Sequence, residues 1–253
     1  MDRDRWAGAG VSATGVRVLV PRPADDPICV AVAEIATVEA VPLTRTVSSP
    51  QLQEWLAAPD SLGHHEWVLL TSPAAVRHTA ASLGPGSPAR ASKLGVVGPG
   101  TAAAARAAGL TPTVIGGGTA ADLAARLIAD HPPTSVLLPR SVAAAPTLPD
   151  ALREAGWRVT ELPAYAPEPM PLSPQVRRRL TEPWPDVIVV TAGSTARAML
   201  DQLGQPPVTT DLVSIGGTTA ADLTDLGLPV AAVATEPTPA GISHAVAQVA
   251  RLP

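Results

Sequence analysis

Phenylalanine is absent from the 253 residues, tyrosine occurs once and tryptophan five times, so aromatics supply only 2% of the chain. A core must therefore be aliphatic, and the 46% hydrophobic share gives ample Ala, Val, Leu and Ile to build one, which excludes a disordered chain. Cys29 is the only cysteine. That excludes an intramolecular disulfide and any thiolate-based zinc or iron–sulfur site within one chain, and Cys29 is expected as a buried, inert thiol. Lys93 is the only lysine beside seventeen arginines, which removes most candidates for Schiff-base or phosphate-loop lysine chemistry. The formal net charge is −4 and Arg177 to Arg179 form the only compact basic run, so a nucleic-acid footprint is missing. No uncharged apolar run reaches the roughly 18 residues of a membrane span, and Met1-Asp2-Arg3-Asp4-Arg5-Trp6 leads into Gly, Ala and Ser rather than an apolar leader. The expectation is a cytoplasmic protein without a membrane partner, with a loose tail over residues 1–15. Histidines 64, 65, 78, 131 and 244 show no metal-ligand spacing, and no metal is expected; His64-His65 adjoins a turn and is expected to be solvated. A Gly-x-Ser-x-Gly elbow is also missing.

The length fits one large domain or two smaller ones, and internal repetition decides between them. Trp67-Val-Leu-Leu-Thr-Ser-Pro-Ala-Ala-Val76 is answered by Asp186-Val-Ile-Val-Val-Thr-Ala-Gly-Ser-Thr195, each followed by a helical stretch ending in Leu-Gly at Gly84 and Gly204. Val96-Val-Gly98-Pro-Gly-Thr101-Ala-Ala103 is answered by Ser214-Ile-Gly216-Gly-Thr-Thr219-Ala-Ala221, and Val18-Leu-Val-Pro-Arg22-Pro23 by Val136-Leu-Leu-Pro-Arg140-Ser141. Val38 to Pro42 likewise matches Val159 to Pro163, and all these separations are close to about 120 residues. Apolar runs at Val16–Val20, Trp67–Leu70, Leu94–Val97, Ser135–Leu138, Val187–Val190 and Leu212–Ile215 are short and unalternating, which reads as strands buried on both faces of a parallel sheet. Small or polar turns lead from them into Ala/Leu-rich helices at Ala102–Ala108, Ala120–Asp130, Ala196–Gln202 and Ala220–Asp225, while Leu148–Ala155 reads as a helix closing at Gly156. The fold class expected is α/β, with two similar doubly wound parallel-sheet units.

Ligands of such folds sit at the carboxyl ends of the strands. The loops there contain Thr71-Ser72-Pro73, Gly98 to Thr101, Gly116 to Thr119, Thr191 to Ser194, Gly216 to Thr219 and Thr235 to Thr238. Small residues admit a ligand to the backbone N–H groups, and hydroxyls with helix N-termini favour anions, although the same residues serve as ordinary helix caps. Together the loops suit a ligand with several dispersed negative charges. Gly98-Pro-Gly100-Thr-Ala-Ala103 is a poor dinucleotide fingerprint, because its third glycine is replaced by alanine and the strand near Thr113–Ile115 ends in glycines instead of an acidic residue. Arg22 and Arg140 stand at matching positions, able to reach carboxylates at a loop rim, with Arg22 favoured because its Pro21-Arg22-Pro23 turn is stiffer. Tyr165, the lone tyrosine, follows a strand in Leu162-Pro-Ala-Tyr165-Ala-Pro167; it is either a packed linker side chain or a phenolic donor overhanging a cleft.

In order and spacing, the Val18 to Pro23, Leu70 to Val76, Val97 to Ala102, Val159 to Tyr165, Ile215 to Ala220 and Glu236 to Gly241 segments resemble the uroporphyrinogen-III synthase family over nearly the whole chain. The resemblance implies two α/β domains joined by a two-stranded linker, with an inter-domain cleft. Residues 16–44 and 168–253 would form a discontinuous domain, 48–163 an inserted one, and 45–47 with 164–167 the linkers. It implies cofactor-free closure of the linear tetrapyrrole hydroxymethylbilane to uroporphyrinogen III, with inversion of the last ring and loss of water. The implied partners are that small molecule and, transiently, hydroxymethylbilane synthase, with the chain itself a monomer. By motif, Tyr165 matches the family's recurring tyrosine, proposed to assist departure of the hydroxyl, and Thr101 and Thr219 match recurrent threonines facing the cleft. Thr71, Ser72, Thr191 and Ser194 are assigned to substrate from their loop positions, and Arg22, Arg140 and Ser141 complete the set. Two departures stand out: Thr191-Ala-Gly-Ser194 replaces the family's usual Thr-Ser-Pro-Ser-type loop, and Pro27 falls in the first helix region, which is expected to be irregular or short. These departures leave a catalytically quiet, ligand-sensing domain as the alternative.

Overall fold

The computed structural model describes residues 15–58, 65–83 and 93–251. The expected tail up to residue 14, His64 and the helix stop at Gly84 lie outside the described residues. The chain divides into two compact units: one takes the chain up to Arg45 and again from Glu168, and the other is Thr46–Pro167.

The first unit opens with β1 (Arg17–Val20), α1 (Pro27–Ala33) and β2 (Thr37–Ala40), and the chain then leaves it along β3 (Thr44–Ser48). The second unit contains α2 (Pro50–Ala57), β4 (Trp67–Leu70), α3 (Pro73–Leu83), β5 (Lys93–Val96), α4 (Pro99–Ala107), β6 (Val114–Ile115), α5 (Ala120–Asp130), β7 (Ser135–Ser141) and α6 (Thr147–Glu154). The chain returns along β8 (Arg158–Pro169). It completes the first unit with α7 (Pro174–Thr181), β9 (Val187–Val190), α8 (Gly193–Leu203), β10 (Asp211–Ser214), α9 (Gly217–Asp225), β11 (Ala232–Val233) and α10 (Pro239–Val249). No described helix is long and apolar enough to cross a membrane.

One sheet has the order β11-β10-β9-β1-β2, and the other β6-β5-β4-β7-β8-β3. Pairing within β11 to β2, and within β6 to β8, is parallel throughout. Placed side by side, the orders match strand for strand, with β3 as the one addition. The repeat is therefore a repeat of topology, and the matching segments fall on equivalent strands although one unit is split in sequence and the other is continuous.

Buried alternation explains the unbroken apolar runs. On β4, Val68 and Leu70 pack in one cluster with Val76, Leu137 and Tyr165, while Trp67 and Leu69 pack on the other face with Leu123 and Leu148. On β9, Val187 and Val189 face Ile28, Val32 and Ile242, while Ile188 and Val190 face Met199, Leu212 and Leu223. Both faces of each sheet are covered by helices, as a parallel sheet requires. Cys29 joins this core as a thiol whose burial, reinforced by the Asp26 charge, pushes its pKa up to about 11. Pro27 does not break α1: it occupies the first turn behind the Asp26 cap, whose side chain accepts from the Ile28 N–H, and the helix is indeed short.

His65 departs from the expectation of a solvated surface turn. Its Nε2 lies 2.9 Å from Thr160 Oγ1 on β8, which holds the half-buried ring against the sheet.

Candidate functional site

The six loops separate into two kinds. Ser72, Thr119 and Thr238 are helix caps: Ser72 Oγ accepts from the Ala75 N–H at 3.0 Å, Thr119 forms a capping box with Asp122, and Thr238 Oγ1 accepts from the Gly241 N–H at 3.1 Å. The N-termini of α4, α8 and α9 begin instead at Gly98, Ala192 and Gly216, and none receives a side-chain cap. Their first-turn N–H groups remain directed at the loop face, where an anion is favoured.

Even these three differ. A side chain at Gly193, the first residue of α8, would collide with the Asp222 carboxylate from α9, so this terminus already faces a negative group. Gly98 is required by packing, since a Cβ there would stand 2.9 Å from the Gly118 Cα. No atom lies within 4 Å of a Cβ built on Gly100, Gly216 or Gly217, so these glycines lie open. Thr101 and Thr219 occupy the third position of α4 and α9, the same place in each unit. At 3% and 6% exposed they are mostly covered.

The two arginines part company. Arg22 directs Nε and Nη2 at Thr191 Oγ1, at 3.1 and 3.0 Å, with Asp26 at 3.9 Å as a distant countercharge and 39% of its side chain exposed. A neutral hydroxyl leaves the guanidinium charge largely unspent for an incoming carboxylate. Arg140 is 8% exposed and already committed: it donates to Glu161 Oε2 and to the carbonyls of Ala144 and Ala145. Burial works against the Glu161 charge, yet Arg153 and Arg140 together hold its carboxyl below the usual range. The expectation that Arg140 sits exposed at a loop rim is therefore corrected: its side chain is buried at the end of β7 and held by Glu161 and two carbonyls.

Ser141 stands opposite Tyr165 in the β7–β8 ladder, and its hydroxyl accepts from the Ala143 N–H within the turn. Thr71 and Ser194 are half-buried at the loop starts of α3 and α8.

Tyr165 is 6% exposed, packed in the core of its unit, and its hydroxyl lies 2.7 Å from Ser72 Oγ. Burial raises its pKa, outweighing the Ser72 hydrogen bond, so the phenol keeps its proton at neutral pH. Its ring lies over His78 of α3, with centroids 5.0 Å apart and planes 7° from parallel. The structure thus joins Ser72 and Tyr165 in one cluster and Arg22 and Thr191 in another. Sequence reasoning missed His78, Glu161 and Asp222; Glu161 carries a signal, since it is the one acidic residue within the Val159–Leu162 run that follows Arg140.

The sequence matches the family described as uroporphyrinogen-III synthase HemD over residues 31–243. No curated protein matches. Among solved structures, the fold is similar to uroporphyrinogen-III synthetase from Helicobacter pylori 26695, at 19% identity, TM-score 0.64, covering 92% of this chain and 99% of that one. It is also similar to a mutant uroporphyrinogen III synthase from the extremely thermophilic bacterium Thermus thermophilus, at 20% identity, TM-score 0.60, covering 94% and 99%. The family match over most of its length establishes that the chain belongs to the uroporphyrinogen-III synthase family, whose enzymes serve tetrapyrrole biosynthesis.

Proposed function

We propose that the chain works as a cyclising hydro-lyase: it closes hydroxymethylbilane to uroporphyrinogen III without a cofactor, inverting the terminal pyrrole ring and releasing water. The observation that carries this reading is the buried, protonated Tyr165 held on the capping hydroxyl of α3. Ser72 Oγ accepts the Ala75 N–H, which leaves its own proton free to be donated to the phenol oxygen. Tyr165 O–H is then available to protonate the departing hydroxyl, which leaves as water, and the pyrrole N–H proton returns to the phenolate to give the neutral azafulvene. Attack on it through the substituted carbon of the terminal pyrrole forms a spiro centre, and fragmentation followed by reclosure completes the inversion.

Spontaneous closure gives the uninverted isomer I, so the protein's task is chiefly orientation. Arg22 and the open N-termini of α4 and α9 are the groups we assign to the acid arms, with Thr71, Thr101, Ser141, Thr191, Ser194 and Thr219 along the same loop faces. Asp222 at the start of α8 disfavours a carboxylate there and supports Thr191 and Ser194 as hydroxyl contacts. The reactivity of the substrate favours direct hand-over from hydroxymethylbilane synthase.

The test supplies hydroxymethylbilane generated in place, then oxidises the products and separates the isomers. Predominant uroporphyrin III is expected, and Tyr165→Phe is expected to lower kcat about 100-fold, the scale of a lost proton donor, with the fold intact by circular dichroism. Only isomer I from folded wild-type protein would remove the synthase reading and make ligand sensing the better one. Unchanged turnover in Tyr165→Phe would remove the phenol from the mechanism.

A further inference from the structure

We infer that His78 is a positioning residue for Tyr165, holding the phenol flat on its imidazole so that the hydroxyl meets Ser72. This rests on the reading of Tyr165 given above. Helix α3 then grips Tyr165 twice, through Ser72 at its cap and through the His78 face further along.

The imidazole is itself fixed from β3. Thr46 and Ser48 are two residues apart on that strand, so their side chains share one face. Thr46 Oγ1 lies 2.9 Å from Nε2, and Ser48 Oγ 2.9 Å from Nδ1. With both ring nitrogens bonded, rotation about the last side-chain bond would break two hydrogen bonds at once. A neutral ring satisfies the arrangement by donating from one nitrogen and accepting at the other, since a hydroxyl can play either part. Burial, aided by Arg77, lowers the His78 pKa and keeps the ring in that form. Flat stacking of a neutral ring on a phenol restricts the phenol to one plane, and a positioning error of an ångström at a reacting group can lower a rate by about 100-fold.

Because Tyr165 is the only tyrosine, one carbon-13 label at its ring Cζ gives a single resonance that reports on it without assignment. Activity and that resonance are measured together in His78→Ala, in the Thr46→Val/Ser48→Ala pair, in Tyr165→Phe, and in Tyr165→Phe/His78→Ala. In folded His78→Ala we expect kcat to fall about tenfold with KM within about twofold, as an interaction that acts only in the reaction step requires. Isomer I should rise in the product, and the tyrosine resonance should shift and titrate at lower pH as the ring loses cover. The strand pair should move the same readouts in the same direction by less. Tyr165→Phe/His78→Ala should be no slower than Tyr165→Phe, because two residues acting as a unit are not additive. Additive losses, or a wild-type tyrosine signal with wild-type kcat and product ratio in folded His78→Ala, would overturn the positioning role. If Tyr165→Phe alone leaves turnover unchanged, the phenol's part in the reaction fails, while the shifted or unshifted resonance still decides whether His78 holds it.

Discussion

The two units share a sheet order and a helix sequence but not their chemistry. In Thr46–Pro167 the strand-end arginine, Arg140, is buried and neutralised by Glu161, while in the other unit its counterpart Arg22 stays half-open on the Thr191 hydroxyl. Helix α3 is capped by Ser72 and carries a phenol on that cap, while α8 starts at Ala192 and faces the Asp222 carboxylate. Gly98 is packed against Gly118, while Gly216 faces open space. A repeated backbone therefore fixes where loops emerge and leaves each unit free to diverge in what the loops offer. Thr46–Pro167 holds the buried phenol, and the other unit retains the accessible cation.

Several substitutions would break or sharpen this contrast. Arg140→Leu takes one of two arginines from Glu161 and leaves the Ala144 and Ala145 carbonyls without their donor, so it should lower the unfolding free energy by about 1–3 kcal/mol, whereas Arg22→Leu should remove less than about 1 kcal/mol. Equal losses in urea unfolding would erase the distinction between the two arginines. Gly98→Ala drives a methyl into the Gly118 backbone and should also destabilise by about 1–3 kcal/mol, while Gly216→Ala stays within about 0.5 kcal/mol. Calorimetric melting that shifts equally in the two variants would refute the packing difference.

Acid acts on the same comparison. Glu161 has a folded-state pKa below its ordinary 4.5, so its contribution is present above that value and is lost as pH falls through the lower folded value. Unfolding free energies from pH 6 downward should therefore fall less steeply in Glu161→Gln than in the wild type; identical slopes would deny the ion pair its role. The smallest effect expected is kinetic: Arg22→Ala should raise KM about threefold to tenfold with kcat nearly unchanged, the loss of one charged contact to an acid arm. An unaltered KM would take Arg22 out of substrate binding.

Much of the fold was legible because its signals are local. Trp67–Leu70, Ala120–Asp130 and Val187–Val190 coincide with β4, α5 and β9, since a short apolar run and a capped Ala/Leu stretch each have one economical conformation. Helices α4, α8 and α9 begin three residues earlier than expected, because Gly and Pro there are first-turn residues where the reading placed turns. At the candidate site, local reading singled out Tyr165, Ser72, Arg22 and Thr191 but could not tell caps from free hydroxyls. It also could not see that Arg140 is buried, because its partner Glu161 lies 21 residues away on the next strand. His78 was passed over because a histidine without a second ligand at metal spacing carries no signal of its own; its partners lie on β3, about 30 residues away.

By itself the sequence determined the α/β class, the duplicated strand–loop–helix pattern, the aliphatic core and the family, since all follow from periodicity, composition and ordered short segments. Tertiary structure alone decided which arginine is neutralised, which helix starts are capped, and that Tyr165 is held between Ser72 and His78. Those outcomes depend on distances between residues remote in sequence, and a hydrogen bond or ion pair exists only where packing brings its two atoms within about 3–4 Å.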